Sequence, residues 1–236
     1  MSETMNGYMG DMDDIDRDET MELQGFVPKE PSSEELEKSR QRYRERLELY
    51  KKFGYDREKA IEFVVDSAEP IEEPVLDVGT GSGLTAVELA RRGHHVTSVD
   101  ISDDALQTAY VNAKAAQVAD RIAFKLIDGM SLPFEARHFK LVTMVNVLHH
   151  LEEFVPLLRE ISRVLSPEGK LLVADFTEEG FDIIERVLRS EGNDHSRGGG
   201  HTIDDVAEVI HKHGMQCKLR DARFHEQVLV ALKVSH

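Results

Sequence analysis

Short apolar runs and amphipathic stretches take turns along most of this chain. Val75–Val78 is a mostly apolar run, Leu84–Arg92 has the spacing of a helix, and Gly93 ends it. Val96–Val99, a helical stretch at Asp103–Ala116 and a third run at Ile122–Ile127 repeat the pattern. It continues through Leu141–Val147, a strongly periodic helix carrying Phe154, Leu158, Ile161 and Leu165, a turn at Ser166-Pro167-Glu168-Gly169, and a strand at Lys170–Ala174. Apolar strands that alternate with helices build a parallel sheet covered on both faces. A helix at about Phe181–Arg189, a Gly-rich loop and a last helix at Thr202–Lys212 follow. The strands Met215–Ala222 and Gln227–Val234 lie too close in sequence for a crossover, which predicts an antiparallel hairpin at the sheet edge.

Upstream of Pro74 the pattern changes. Residues 1–31 are acidic, rich in Met and Gly, and carry no period of 2 or 3.6, so they are expected to be a disordered tail. Ser32 followed by Glu35 has the spacing of a capping box, and Leu36, Tyr43, Leu47 and Tyr50 then fall near one face of a helix reaching about Lys52. Asp56 is placed to cap a second helix ending near Ala68. Three parts result: the tail at 1–31, a helical cover at 32–73, and an α/β domain at 74–236.

Length and charge narrow the function. A chain of 236 residues holds one full domain with an attachment. Its formal charge is −16, of which −7 sits in residues 1–24; the body still carries −9 and would repel a nucleic acid or an anionic membrane. Cys217 is the only cysteine, which excludes an internal disulfide and CxxC metal or redox chemistry. The longest stretch free of charged residues, Leu141–Leu151, is 11 residues long, too short for a membrane span, and the N-terminus lacks a signal-peptide pattern. A cytoplasmic protein is expected, with a homodimer left open.

The candidate chemistry gathers at successive strand ends. Gly79, Thr80, Gly81 and Gly83 sit where the first strand becomes a helix, the crevice at which open α/β sheets bind ligands. Asp100 closes the second strand, where a carboxylate accepts both hydroxyls of a ribose, and Asp128 lies just past the third. The dinucleotide spacing G-x-G-x-x-G would put its third glycine at position 84, which is Leu84. Asp77, two residues before the first glycine, would repel a diphosphate but suits a ligand carrying ammonium and sulfonium cations. S-adenosylmethionine fits this pattern better than NAD.

These residues resemble the class I S-adenosylmethionine-dependent methyltransferases, most closely the small-molecule branch that includes the quinone-biosynthesis enzymes. The resemblance is strong over Pro74–Asp175, through Val75–Gly83, Val99–Ser102, Asp128–Phe134, Val145–Leu151 and Leu158–Leu172, and mainly topological beyond. It implies a Rossmann-like seven-stranded, mostly parallel sheet with an antiparallel last strand and helices on both faces. The implied cofactor set is Asp77, Gly79, Thr80, Gly81 and Gly83 at the methionine part, Asp100 and Ile101 at the ribose, Asp128 and Gly129 at the adenine, and Asn146 beside the cofactor. The implied activity is methyl transfer to an O, C or N atom of a small-molecule acceptor. Asn146-Val-Leu-His lacks the prolines and the aromatic residue of amino-group methylases acting on DNA or glutamine, and a single cysteine argues against arsenite chemistry.

Each position also has a plain structural reading. The glycines could serve a tight turn alone, Asp100 a helix cap, although Ser102 is better placed, and Asp128 an Asp-Gly turn. His149 and His150 follow the fourth strand, where one of them could act as a base; capping and packing are the alternative. The segment from Asn193 to His201, with His195, Arg197 and His201, could cover the site or be a solvent loop. His211 and His213, two apart on a helix, face different sides and make no metal pair, His94-His95 marks the exposed start of a strand, and no metal is expected. Two other function classes stay open: a nicotinamide-dependent oxidoreductase, and a non-catalytic cofactor-binding module that docks a protein through its tail.

Overall fold

A strand buried at every position needs a neighbour on each edge. β1 (Val75–Val78), buried at all four residues, has them in β2 (Val96–Asp100) and β4 (Phe139–Val145), both parallel to it. β3 (Ile122–Leu126) continues the sheet beyond β2, and β5 (Leu165–Phe176) continues it beyond β4. The hairpin β6 (Met215–Arg223) and β7 (Glu226–Lys233) closes the other side, with β7 inserted antiparallel against β5. The order is β3-β2-β1-β4-β5-β7-β6, a seven-stranded sheet with the expected reversed last strand. This computed structural model describes residues 25–128, 131–192 and 199–234.

Side chains that alternate along the strands feed two cores, one per face. Leu76 and Val78 pack with Leu158 and Ile161 of α5 (Val155–Val164) and with Ile203 and Val206 of α7 (Ile203–Val209). Val75 faces the other way, with Ala86 and Leu89 of α3 (Leu84–Arg91), Ala113 of α4 (Asp103–Ala115), and Val64 and Val65 of α2 (Arg57–Asp66). A third cluster joins Tyr50 of α1 (Ser33–Lys52) and Tyr55 to Phe176 and to Phe181, Ile184 and Val187 of α6 (Glu178–Ser190). The N-terminal helices are thereby tied to the carboxyl end of β5.

Local signals in the sequence account for the helix boundaries. The Ser32–Glu35 capping box forms, Asp56 caps α2, Ser102 caps α4, and Thr202 with Asp205 caps α7. Several boundaries differ from expectation. β4 ends at Val145, which leaves Asn146 and Val147 beyond the strand rather than within it. The turn at Ser166–Gly169 lies inside β5: Phe139 pairs with Leu165 and Leu141 with Lys170, so the four residues bulge out between those pairs. α6 starts three residues early because Thr177 accepts from the Gly180 N–H. The last helix tightens into a 3₁₀ turn at Ile210–His213 and stops at Gly214, which has φ +68°.

The expected tail 1–31 divides. Residues 1–24 lie outside the described residues. Residues 25–31 form neither helix nor strand, yet they are tied to α4: Gln107 exchanges two 2.9 Å hydrogen bonds with the Lys29 backbone, and Glu30 accepts from Tyr110 and pairs with Lys114. Paired backbone groups of this kind hold a segment that has no apolar period of its own.

Candidate active site

The loop after β1 has a shape that only glycine supplies at two of its positions. Gly79 has φ +72°, and a Cβ there would stand 2.5 Å from Val147 Cγ2; Gly83 has φ +81°, and its Cβ would stand 2.8 Å from the Cβ of Ala109. Above Gly81 there is open space. The loop is pinned from β2, since the Gly79 and Thr80 N–H groups donate to Val99 O and the Gly81 N–H donates to Asp100 Oδ2 at 2.8 Å. Asp100 Oδ1 accepts from the Ser102 N–H at 2.9 Å. A carboxylate has about four lone-pair sites, so Asp100 keeps room for two more donors. Ile101 beside it is 71% exposed, an apolar surface next to the acid.

Asp77 stands beneath this loop rather than in the open crevice. It is 2% exposed; the Thr143 hydroxyl donates to Oδ1 at 2.7 Å, and Ser98 Oγ lies 3.3 Å from Oδ2 and 2.5 Å from Thr80 Oγ1. Burial raises its carboxyl above the usual range, and the surrounding hydroxyls oppose the rise. Asp128 is exposed just past β3, its carbonyl accepting from the Ser131 N–H. Gly129, His195 and Arg197 lie outside the described residues.

Past β4 the chain turns sharply. Asn146 adopts φ +56°, uncommon for a residue with a side chain, and its N–H donates to Ala174 O. The two histidines then separate. His149 is 2% exposed, with Nδ1 2.7 Å from Asp175 Oδ1 and its backbone N–H donating to Asp175 Oδ2. His150 is exposed, its ring 3.9 Å from that of His149. Of the pair, His149 is the one built into the sheet edge.

Three residues here went unnoticed in the sequence. Asp175 follows the apolar run Leu171–Ala174 as Asp100 follows Val96–Val99, so the same signal was available. Glu226 opens β7, fully buried, with burial and the nearby charge of Asp175 pushing its carboxyl up to about 7. Tyr55 donates to Glu226 Oε1 at 2.6 Å, and Asn146 Nδ2 donates to the same oxygen at 3.2 Å. No periodicity marks Tyr55; its position follows from the packing of the turn between α1 and α2.

A separate cavity of about 400 Å³ lies between α1–α2 and α3–α4, lined among others by Arg42, Tyr43, Arg46, Ile61, Val87 and Val111. It shares only Gly83 with the expected cofactor residues, so this cavity lies apart from the place where the strand-end chemistry gathers. His201 is occupied at Glu152 O, 2.8 Å away. Among the described residues no group of three His, Cys, Asp or Glu side chains is arranged for a metal, and no helix is long and apolar enough to cross a membrane.

Residues 76–173 match a family model described as a methyltransferase domain. The chain is 35% identical over 103 residues to the 27-O-demethylrifamycin SV methyltransferase of Amycolatopsis mediterranei, covering 43% of this chain and 38% of that one. It is 35% identical over 144 residues to the methyltransferase GfsG of Streptomyces halstedii, covering 60% and 52%. A demethylmenaquinone methyltransferase of Tropheryma whipplei is 38% identical over 105 residues, covering 44% and 42%. The chain thus spans about half or less of the length of these relatives. Among solved structures, a SAM-dependent methyltransferase from Methanosarcina mazei superposes with a TM-score of 0.59 at 19% identity, covering 73% of this chain and 98% of that one. The [4+2]-cyclase SpnF superposes at 0.62 and 19%, covering 77% and 82%, a likeness of fold alone. The strand order, the glycine loop and the matched segment agree: residues 76–173 are similar to a methyltransferase domain, set in a fold shared with S-adenosylmethionine-dependent methyltransferases.

Proposed function

We propose that the chain binds S-adenosylmethionine at the carboxyl edge of β1, β2 and β4 and transfers its methyl group to an O, C or N atom of a small-molecule acceptor. The observation that carries this reading is the open glycine loop fastened to Asp100, with Ile101 exposed beside it. In this reading Asp100 accepts the ribose hydroxyls with Ile101 beside it, Asp128 and Gly129 serve the adenine, and Gly79, Thr80, Gly81, Gly83 and Asn146 border the methionine part. Asp77 acts from below, shaping the loop through Thr80, Ser98 and Thr143. The bound cofactor supplies a methyl carbon on a cationic sulfur, and its displacement leaves a neutral thioether.

What remains for the chain is orientation, exclusion of water and removal of one proton from the nucleophile. His149 is the candidate base: Asp175 at 2.7 Å fixes the ring by Nδ1, and Nε2 is the nitrogen that would take the proton. The exposed His150 is the comparison position. The α1–α2 segment, packed through Tyr50 and Tyr55 on Phe176 and Phe181, is read as the cover over this edge. The likeness in fold to the [4+2]-cyclase SpnF illustrates that this fold alone does not dictate methyl transfer.

The test is isotope-labelled methyl transfer from S-adenosylmethionine into a fractionated cell extract. The wild type and H150A are expected to label an acceptor, and H149A to label it at about 10²-fold lower rate or less. Absence of label in every fraction, with cofactor bound, would remove the enzymatic reading in favour of a binding module.

A further inference from the structure

Among the described residues two buried oxygens at this edge have no hydrogen-bond partner, Glu226 Oε2 and Asn146 Oδ1, although their side chains already touch. Glu226 Oε1 takes two donors, from Tyr55 and Asn146, while Oε2 takes none. If Glu226 only linked the α1–α2 turn to the sheet, Oε1 alone would suffice, and an unsatisfied buried acceptor is a standing cost that native proteins seldom carry without use. Both groups are rigidly held: Glu226 sits opposite Phe176 in the β5–β7 ladder, and Asn146 is fixed at φ +56° with its N–H on Ala174 O. Asn146 is partly exposed and Glu226 is buried, so a ligand group would arrive from the Asn146 side.

We infer that Asn146 Oδ1 and Glu226 Oε2 form a subsite that receives an N–H or O–H donor group of the bound ligand. The inference rests on the methyltransferase reading, which puts the ligand at this edge. Two sources share that chemistry, the amino group of the cofactor and a hydroxyl or amine of the methyl acceptor. The ionisable groups acting on Glu226 are Tyr55 from the α1–α2 turn, Arg57 from α2 and Asp175 from β5. Held near neutrality by burial, the Glu226 carboxyl can lose its proton when a donor, above all a cationic one, settles against Oε2.

Glu226→Gln keeps the shape and puts an NH₂ donor where the second acceptor stood. Titration calorimetry with S-adenosylmethionine and with 5′-methylthioadenosine, which lacks the amino acid part, is combined with labelled methyl transfer into extract. If the cofactor's amino group is the donor, E226Q weakens S-adenosylmethionine binding at least about tenfold, leaves methylthioadenosine unchanged, and abolishes a proton release seen with the wild type near pH 7. If the acceptor supplies it, cofactor affinity holds while labelling falls at least about tenfold. Asn146→Gly, which keeps the positive φ, repeats the pattern and serves where E226Q fails to fold. Affinity and labelling within twofold of wild type in both variants overturn the subsite, as does an equal loss for both nucleosides, the mark of a purely structural role. A wild type that binds neither nucleoside refutes the methyltransferase reading itself.

Discussion

Replacing Glu226 by Gln removes a titration from the middle of the accessible pH range, and its size follows from where the carboxyl lies. The side chain is 2% exposed, and its carboxyl is raised from the ordinary 4.5 to about 7, chiefly by burial. Between those two values the folded chain keeps a proton that the unfolded chain has lost. The contribution to stability is therefore complete below pH 4.5 and is lost as pH rises through about 7. At about 1.36 kcal/mol for each pH unit, the window amounts to roughly 3 kcal/mol. Asp77, also raised by burial, contributes with the same sign, so the total curve does not isolate Glu226. The difference between wild type and E226Q does. Urea unfolding followed by circular dichroism from pH 4.5 to 8 is expected to show that difference moving by about 2–3 kcal/mol in favour of Gln as pH rises. Parallel curves, or movement in the opposite direction, would refute the burial argument.

Other outcomes follow from the same geometry. Asp100→Ala should weaken S-adenosylmethionine binding about tenfold or more, measured by calorimetry, and Asp100→Asn should lose less because one acceptor remains. Gly79→Ala meets Val147 at 2.5 Å in a left-handed backbone, so unfolding stability should fall by about 2–4 kcal/mol; Val147→Ala in the same chain should return only the steric part. Leu158→Ala, at a fully buried position of α5, should cost about 2–5 kcal/mol in urea titrations. Ser32→Ala should cost about 1 kcal/mol through loss of the α1 cap, with cofactor affinity unchanged.

The fold was legible because its signals are local and repeated. Runs such as Val96–Val99 between amphipathic stretches encode a covered parallel sheet, and Ser32, Asp56, Ser102 and Thr202 mark helix starts by hydrogen bonds to residues three along. The loop and Asp100 were legible for a related reason, since an acid ending one strand and glycines ending its neighbour lie side by side in a parallel sheet. The second half of the site depends on long-range pairing. Tyr55 and Glu226 are 171 residues apart and meet only because β7 inserts beside β5, and the His149–Asp175 contact needs β4 and β5 to be neighbours. The docking of Lys29 and Glu30 on α4 escaped for another reason: it rests on backbone hydrogen bonds and ion pairs, which leave no hydrophobic period.

The central claim, that the crevice above β1 and β2 holds a sulfonium nucleoside with its sugar on Asp100, is tested most directly by calorimetric titration with S-adenosylmethionine and NAD in turn. The account predicts one S-adenosylmethionine per chain, weakened about tenfold or more in Asp100→Ala, and no heat from NAD. Saturable NAD binding without S-adenosylmethionine binding, or an affinity for S-adenosylmethionine indifferent to Asp100, would contradict it.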